Sequence, residues 1–506
     1  MNKKHKLFAV LIVILSFFSI CQLCKADVVD TVYIKKSTSR ITGKIIRQNN
    51  GNNDSVFVNI NLIYAISGGY IKYKALVDKF GRFSIDADVE TNISLVSMNI
   101  SIDPEKYLLV KLKAGSVTNV EITYNLNNKI ANIDIKPAMN KYDITHSLDV
   151  VGKMIDHRSG RMPEPLHEKS TDYFLNYTKN ILSERLGILN KDKFLSKNLK
   201  ELLSKDFRLF LYNAHVFNYE RQMLLNYRYL DTDQTKKPTI KKVDKSYFHF
   251  LKDFNLNDPK YLNCFTFPEV QKEILQNQIL GLPAIEENDI SSWLANVKAI
   301  LSNLIGFKDG QYYDILAANA YGRQLNEELR PLSDKQKENI TKYWKNGEIA
   351  KILFRKNDQV VGLDKFKSPA VINEISSIPD DKVMETIISK YTGKVIFIDL
   401  WATWCSPCLD DMQQFRTTKN TFHDKAVVFV YLTNNSSPRM LWEEKIKGIG
   451  NEHYYLTSNQ WEYIMKHFDF QYIPSYILYN KEGVLVNKFQ AFPGNEKVRD
   501  MINSAL

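Results

Sequence analysis

The spacing of apolar and polar residues changes character twice along the chain. Within 27–140, β-branched and aromatic runs at 41–46, 56–64, 71–77, 83–87, 94–100, 107–112 and 117–124 alternate with Asn, Gly, Asp and Lys turns. Runs of that kind, recurring about every 8–12 residues, predict an all-β sandwich. Asp78-Lys79-Phe80-Gly81 reads as one of the turns, with Gly81 at the tight position. Within 141–367 the period becomes helical. The window 192–229 carries Phe194, Leu195, Leu199, Leu202, Leu203, Leu209 and Leu211, and 270–280, 289–304, 312–325 and 335–349 read the same way. Pro238, Pro259, Pro283 and Pro331 punctuate this stretch. Within 368–506 strands and helices alternate. Strands are predicted at 395–400, 426–432, 475–479 and 484–489, and helices at 405–421, 440–447, 459–468 and 495–506. That order predicts a central sheet covered by helices on both faces. The fold class is therefore multidomain: a β-sandwich, a helical middle region and a C-terminal α/β domain.

The first 26 residues have a different layout. Lys3, Lys4 and Lys6 precede an almost unbroken apolar run at 7–18, and Cys24-Lys25-Ala26 ends in a small residue before Asp27. This is the pattern of a secretory signal peptide, and the run is shorter than the ~20 apolar residues of a spanning helix. An uncleaved anchor is the alternative. Cys21 and Cys24 follow Ile20 and Leu23, where a lipid-attachment signal wants Gly, Ala or Ser, so a lipoprotein is less favoured. An exported location in the periplasm is expected.

Composition adds little. The apolar fraction is 44%, enough for each domain to bury a core, and nothing reads as disordered. The net charge of +11 is spread along the chain, and its densest cluster, at 236–242, reads as a solvated loop rather than a nucleic-acid patch. His146, His157, His167 and His215 are scattered without Cys or carboxylate partners at metal-ligand spacing, so no metal is expected.

Removal of the leading segment leaves Cys264, Cys405 and Cys408. One close pair does not staple a chain of this length, which points to a pair kept for chemistry. Cys264, among Tyr261, Leu262 and Phe265, reads as a buried small hydrophobe. The pair lies in Trp401-Ala402-Thr403-Trp404-Cys405-Ser406-Pro407-Cys408, directly after a buried strand and at the start of a helix. Unpaired N–H groups and the helix dipole stabilise an anion there. They lower the pKa of the first thiol, and the thiolate is the attacking species. Pro407 suits the first turn because its missing N–H costs nothing. Cys408, three residues on and less exposed, is placed to resolve a mixed disulfide. Haem attachment would need His where Leu409 stands, and zinc would need a second ligand pair.

The segment 393–408 resembles the thioredoxin superfamily, and most closely the exported TlpA/ResA-type thiol–disulfide oxidoreductases, in which a W-A-T-W-C-x-P-C core is usual. Phe470-Gln471-Tyr472-Ile473-Pro474-Ser475 falls where that family has its cis-proline loop. The resemblance covers 368–506 and implies a thioredoxin fold, with Pro474 in a cis bond after Ile473 beside the two sulfurs. It implies a substrate surface that includes Trp404, Ser406, Pro407, Ile473 and Pro474, with Trp401 serving mainly as core. It implies no cofactor beyond the redox-active Cys405–Cys408 disulfide. The β region resembles small sandwich domains that precede thioredoxin domains in some exported bacterial proteins. Asp399, six residues before Cys405, stands where thioredoxin has a buried Asp and many TlpA-type proteins have Asn. It is read as the general base for Cys408; the other reading is a strand residue hydrogen-bonded at the sheet end. The dipeptide Ser406-Pro407 lacks the His of strongly oxidising relatives. A reducing potential is expected, nearer to thioredoxin at about −270 mV than to DsbA at about −120 mV.

The expected function is a periplasmic thiol–disulfide oxidoreductase that reduces substrate protein disulfides. The resemblance implies recharging by a membrane electron donor of the DsbD/CcdA type, and nucleic acid is not an expected partner. The alternatives are a disulfide oxidase or isomerase, the latter suited by a homo-oligomer built through the helical region, and an assembly protein whose grip is tuned by the redox site. Nothing in the sequence assigns a task to 27–367.

Overall fold

The computed structural model describes residues 31–48, 55–158, 160, 162–230, 238–364 and 368–506, so the proposed signal segment lies outside the described residues. The chain forms two units. Of the described residues, one takes those within 31–63, 70–270 and 304–306, and the other those within 64–69, 271–303 and 307–506.

In the first unit the predicted alternation is realised as eight strands among the described residues. They are β1 (Ile34–Arg47), β2 (Phe57–Ile63), β3 (Tyr70–Leu76), β4 (Arg82–Thr91), β5 (Ile93–Ile100), β6 (Asp103–Lys113), β7 (Val117–Tyr124) and β8 (Ile130–Lys136). They pair as two four-stranded sheets, in the orders β4-β1-β7-β8 and β3-β2-β5-β6. The turn at Gly81 has φ +78°, and a Cβ there would overlap the Ile45 carbonyl. Asp78 Oδ1 accepts from the N–H groups of Phe80 and Arg82, which closes the turn. The sequence pattern does not mark β8. Only Ile133 and Ile135 are buried in that outer strand, so its apolar signal is short.

Helices follow: α1 (Lys141–Thr145), α2 (Ser147–Asp156), α3 (Thr171–Lys191), α4 (Lys197–His215) and α5 (Tyr219–Leu230). The periodic window 192–229 is broken at both α4 termini. Asp192 Oδ1 turns the chain by accepting from Phe194 and Leu195, and Ser196 caps α4 through Leu199 N–H. The basic cluster lies partly in 231–237, outside the described residues, and 238–244 carries no regular element. The helical stretch 141–367 is divided between the units, with α6 (Phe267–Gln276) and α7 (Ile290–Ile305) crossing the boundary.

In the second unit α8 (Gln311–Arg323) runs into a π turn at Gln324–Glu328, followed by α9 (Asp334–Trp344) and α10 (Glu348–Asp364). Side-chain amides explain why 64–69 belongs here. Asn319 Nδ2 donates to the carbonyls of Ala65 and Ile66 at 2.9 and 3.1 Å, and Asn326 Nδ2 to Ser67 at 2.8 Å. The C-terminal part holds β9 (Ala370–Asn373), α11 (Val383–Lys390), β10 (Val395–Leu400), α12 (Ser406–Asn420), β11 (Val427–Asn434), α13 (Arg439–Ile449), β12 (Asn451–Leu456), α14 (Ser458–His467), β13 (Ser475–Tyr479), β14 (Leu485–Gln490) and α15 (Asn495–Ala505). The sheet order is β14-β13-β10-β11-β12-β9. The sequence pattern does not mark β9 or β12. β12 reads Asn-Glu-His-Tyr-Tyr-Leu, without the apolar run of a buried strand.

Alternation along β10 sorts the core into two layers. Ile396, Ile398 and Leu400 meet Val383 and Ile387 of α11 and Ile464 of α14. Val395, Phe397 and Trp401 meet Cys408 and Phe415 of α12, Trp442 of α13 and Val498 of α15. Asp399 falls between Phe397 and Trp401 and so faces the layer that holds the sulfurs.

Candidate active site

Trp401 N–H donates to Leu432 O at 3.0 Å, which keeps the chain on the sheet for one residue past β10. Cys405 N–H then donates to Ala402 O at 3.0 Å, and α12 begins at Ser406. Cys405 is the N-cap. Its Sγ accepts from Cys408 N–H at 3.3 Å, so the first sulfur lies against the unpaired donors of the helix start. The two cysteines form a disulfide with a Cα–Cα separation of 5.3 Å. Cys405 is 4% exposed and Cys408 is fully buried, an order that leaves the first sulfur the more accessible.

A loop of the neighbouring strand holds the approach to the site. Ser437 Oγ accepts from Thr403 N–H at 3.0 Å and contacts Thr433 Oγ1 at 2.8 Å. Trp404 Nε1 donates to Ser436 Oγ at 3.1 Å, while the ring remains half exposed. Sequence reasoning missed both serines. The available signal was Asn434-Asn435-Ser436-Ser437-Pro438, a polar run at the carboxyl end of a buried strand.

The second predicted motif comes to the same end of the sheet. Ser475, the first residue of β13, is paired with Leu400, the last of β10, and the Ile473–Pro474 bond before it is cis. Ile473 packs against the cluster containing both cysteines, and Tyr472 is exposed. Pro407 is exposed in the first turn of α12, and Trp401 is wholly buried. The structure thus gathers Cys405, Cys408, Trp404, Ser406, Pro407, Ile473 and Pro474 at the carboxyl end of β10, with Asp399 beneath them.

Asp399 is 4% exposed, and its Oδ1 has no hydrogen-bond partner among the described residues. Its strand neighbours are Tyr431 on β11 and Tyr476 on β13. Burial and then Asp411 push the carboxyl well above the ordinary range, against an opposing pull from Lys419. A carboxyl raised in this way suits proton exchange with a thiol better than an exposed one. In the window between the unfolded value and the raised one, the folded protein holds a proton that the unfolded chain lacks. Its stability therefore falls as pH rises through that window. Asp399→Asn is expected to be more stable than the parent at pH 8, by about 1.4 kcal/mol for each tenfold difference in proton affinity. Urea unfolding at pH 5 and pH 8 checks this; a difference between the two proteins that does not grow with pH contradicts it.

The remaining candidates are structural. Cys264 is fully buried, and burial raises its thiol pKa further. His146 contacts Asp192 at 2.8 Å and His167 contacts Asn226 at 3.0 Å. Among the described residues no group of His, Cys, Asp and Glu could hold a metal ion, and no helix is long and apolar enough to cross a membrane.

A six-stranded mixed sheet with a Cys-x-x-Cys pair capping the helix after a central strand defines a thioredoxin-fold domain. Residues 376–503 match the Redoxin family model, and this C-terminal part of the chain is a thiol–disulfide oxidoreductase of the thioredoxin superfamily. Among solved structures the chain is similar to a candidate thiol–disulfide oxidoreductase from Bacteroides vulgatus, at 30% identity over 23% of this chain and 82% of that one, with a TM-score of 0.21. It is also similar to StoA from Bacillus subtilis, at 21% identity over 22% of this chain and 83% of that one, with a TM-score of 0.19. No curated protein matches the chain.

Proposed function

We propose that the chain is an exported reductase of protein disulfides acting through Cys405 and Cys408. The observation that carries this reading is the N-cap position of Cys405, with Sγ against a main-chain donor and Cys408 buried behind it. In the reduced protein the helix start stabilises the Cys405 thiolate. That thiolate attacks one sulfur of the substrate disulfide; a Cys405–substrate bond forms and the other substrate sulfur leaves as a thiolate. Asp399 takes the proton of Cys408, whose thiolate attacks Cys405 Sγ. The Cys405–Cys408 bond forms and the second substrate sulfur is expelled. The substrate gains two electrons and the protein pair loses them. A membrane dithiol donor returns them, and no bound cofactor is required.

Half-exposed Trp404 and exposed Pro407 and Tyr472 offer the substrate an apolar rim, with Ile473 and Pro474 beside them. Export rests on the basic and apolar pattern of 1–26. Alkylation of the protein in its own cell envelope tests the direction of electron flow. A recharged reductase is expected to have most Cys405 and Cys408 thiols free to react. A pair found almost wholly oxidised would make the protein a disulfide oxidase.

A further inference from the structure

The first unit holds a cleft of about 340 Å³ between α2, α4 and β6. Leu148, Val151 and Ile155 of α2, Phe207 and Phe210 of α4 and Tyr107 of β6 line it. Tyr107 and Ile155 are exposed, so apolar surface stands open to water at the mouth. The polar groups of the inner wall are already paired. Asp206 Oδ1 accepts from Thr266 N–H at 2.8 Å, the Thr266 hydroxyl turns to the same carboxyl, and Ser97 Oγ accepts from Asn61 at 3.1 Å. The volume lies at the small end of the ~300–1,000 Å³ of ligand pockets.

Charge differs between the two ends of the cleft. At the Leu148 end, Lys106 and Asp149 form an ion pair at 2.6 Å. At the Ile155 end, Arg185 of α3 reaches the chain just past α2, where its Nη2 donates to His157 O at 3.5 Å. Its Nε is buried and has no partner. Exposed Arg158 comes next in the chain, and among the described residues no carboxylate pairs with either guanidinium. His215 ends α4 five residues past Phe210, about 7–8 Å along the helix. It contacts Gln222 Oε1 at 3.2 Å. Burial and then Arg158 lower the Arg185 guanidinium; burial and, in smaller part, Arg185 lower His215. The cations therefore lie close enough to repel one another, and no acid offsets them.

We propose that this cleft binds a single-chain carboxylate amphiphile, a fatty acid, with its tail between α2 and α4 and its carboxylate on Arg158 and Arg185. A guanidinium presents paired donors in one plane, which match the two oxygens of a carboxylate. The bound head removes the repulsion between the two cations while the tail leaves water. The neutral pair at the Leu148 end offers the head nothing comparable, so the ligand has one orientation. A sugar or nucleotide would set polar groups against Val151, Phe207 and Phe210 without partners. An alkyl ammonium would meet two cations of its own sign. The contact to His157 O also caps α2, but that takes one of the five N–H donors of Arg185.

Calorimetric titration of the full chain tests this, with decanoate, decanol and acetate as probes. The proteins are the parent, Arg185→Met, Arg158→Gln and Ile155→Glu. Decanoate is expected to saturate one site per chain, with decanol at least about tenfold weaker and acetate without saturation. Arg185→Met and Arg158→Gln are each expected to weaken decanoate about tenfold and to leave decanol unchanged, whereas Ile155→Glu weakens both. A lower melting temperature of Arg185→Met with decanoate affinity kept would make Arg185 only the cap of α2 and overturn the proposal. Equal affinity for decanoate and decanol, binding indifferent to Ile155→Glu, or no saturable binding of decanoate would overturn it as well.

Discussion

Cys408→Ser is expected to slow turnover by at least about 10³-fold and to leave Cys405 covalently joined to its substrate. Cys405 is the N-cap of α12 and the less buried of the two sulfurs, so it is the sulfur a substrate disulfide meets first. Cys408 is fully buried, and a hydroxyl in place of its thiol changes the volume little, so the fold is retained while resolution is lost. Mixed disulfides visible on non-reducing gels and absent from the Cys405→Ser protein check the order of attack. Accumulation with Cys405→Ser instead would reverse the two roles.

The second large effect lies away from the sulfurs. Glu327, in the π turn after α8, pairs with Lys445 of α13, and its Oε1 lies 2.6 Å from Lys272 Nζ. Nearby, Arg323 Nη2 reaches the Glu444 carboxylate at 2.5 and 2.6 Å, and a Cβ on Gly448 would overlap the Glu327 carbonyl. Lys445 is 4% exposed, so removal of its partner strands a charge out of reach of water. Glu327→Ala is expected to cost about 3–5 kcal/mol. Adding Lys445→Met is expected to recover part of that loss, because the stranded charge is gone. Burial alone would raise the Glu327 carboxyl, but Lys272 and Lys445 outweigh it and hold the group down to about 2. Its contribution to stability is therefore complete above the ordinary value of 4.5 and is lost as pH falls toward 2. Urea unfolding of the single and double variants at pH 7 and pH 3 measures both effects. A single variant as stable as the parent at pH 7 contradicts the role given to this ion pair.

These contacts also show what the sequence made legible. The strand at 395–400 and the helix after it could be read because each is local, an unbroken apolar run and a Cys-x-Pro-Cys start, whereas the Pro474 loop is read from its place in the resemblance. Asp399 is placed behind the resolving thiol by the resemblance, six residues before Cys405, and the alternation of side chains along β10 puts it on the face of the sulfurs. Ser436, Ser437 and Lys419 could not be found that way. Their partners lie on other elements, Thr403, Trp404 and Tyr431, and no spacing announces a hydrogen bond across 12 to 34 residues. The assignment of 64–69 to the second unit was hidden for the same reason. It depends on the amides of Asn319 and Asn326 reaching the carbonyls of 65–68, more than 250 residues earlier. β12 escaped notice because His453 and Tyr454 fill core positions that an apolar pattern assigns to aliphatic residues.

The central claim is that Cys405 and Cys408 form a reducing pair. It is tested most directly by their equilibrium potential against glutathione, followed through Trp404 fluorescence in a Cys264→Ser background. A value below about −220 mV is the result predicted for a reductase. A value near about −120 mV would contradict it and make the protein an oxidant of newly exported chains.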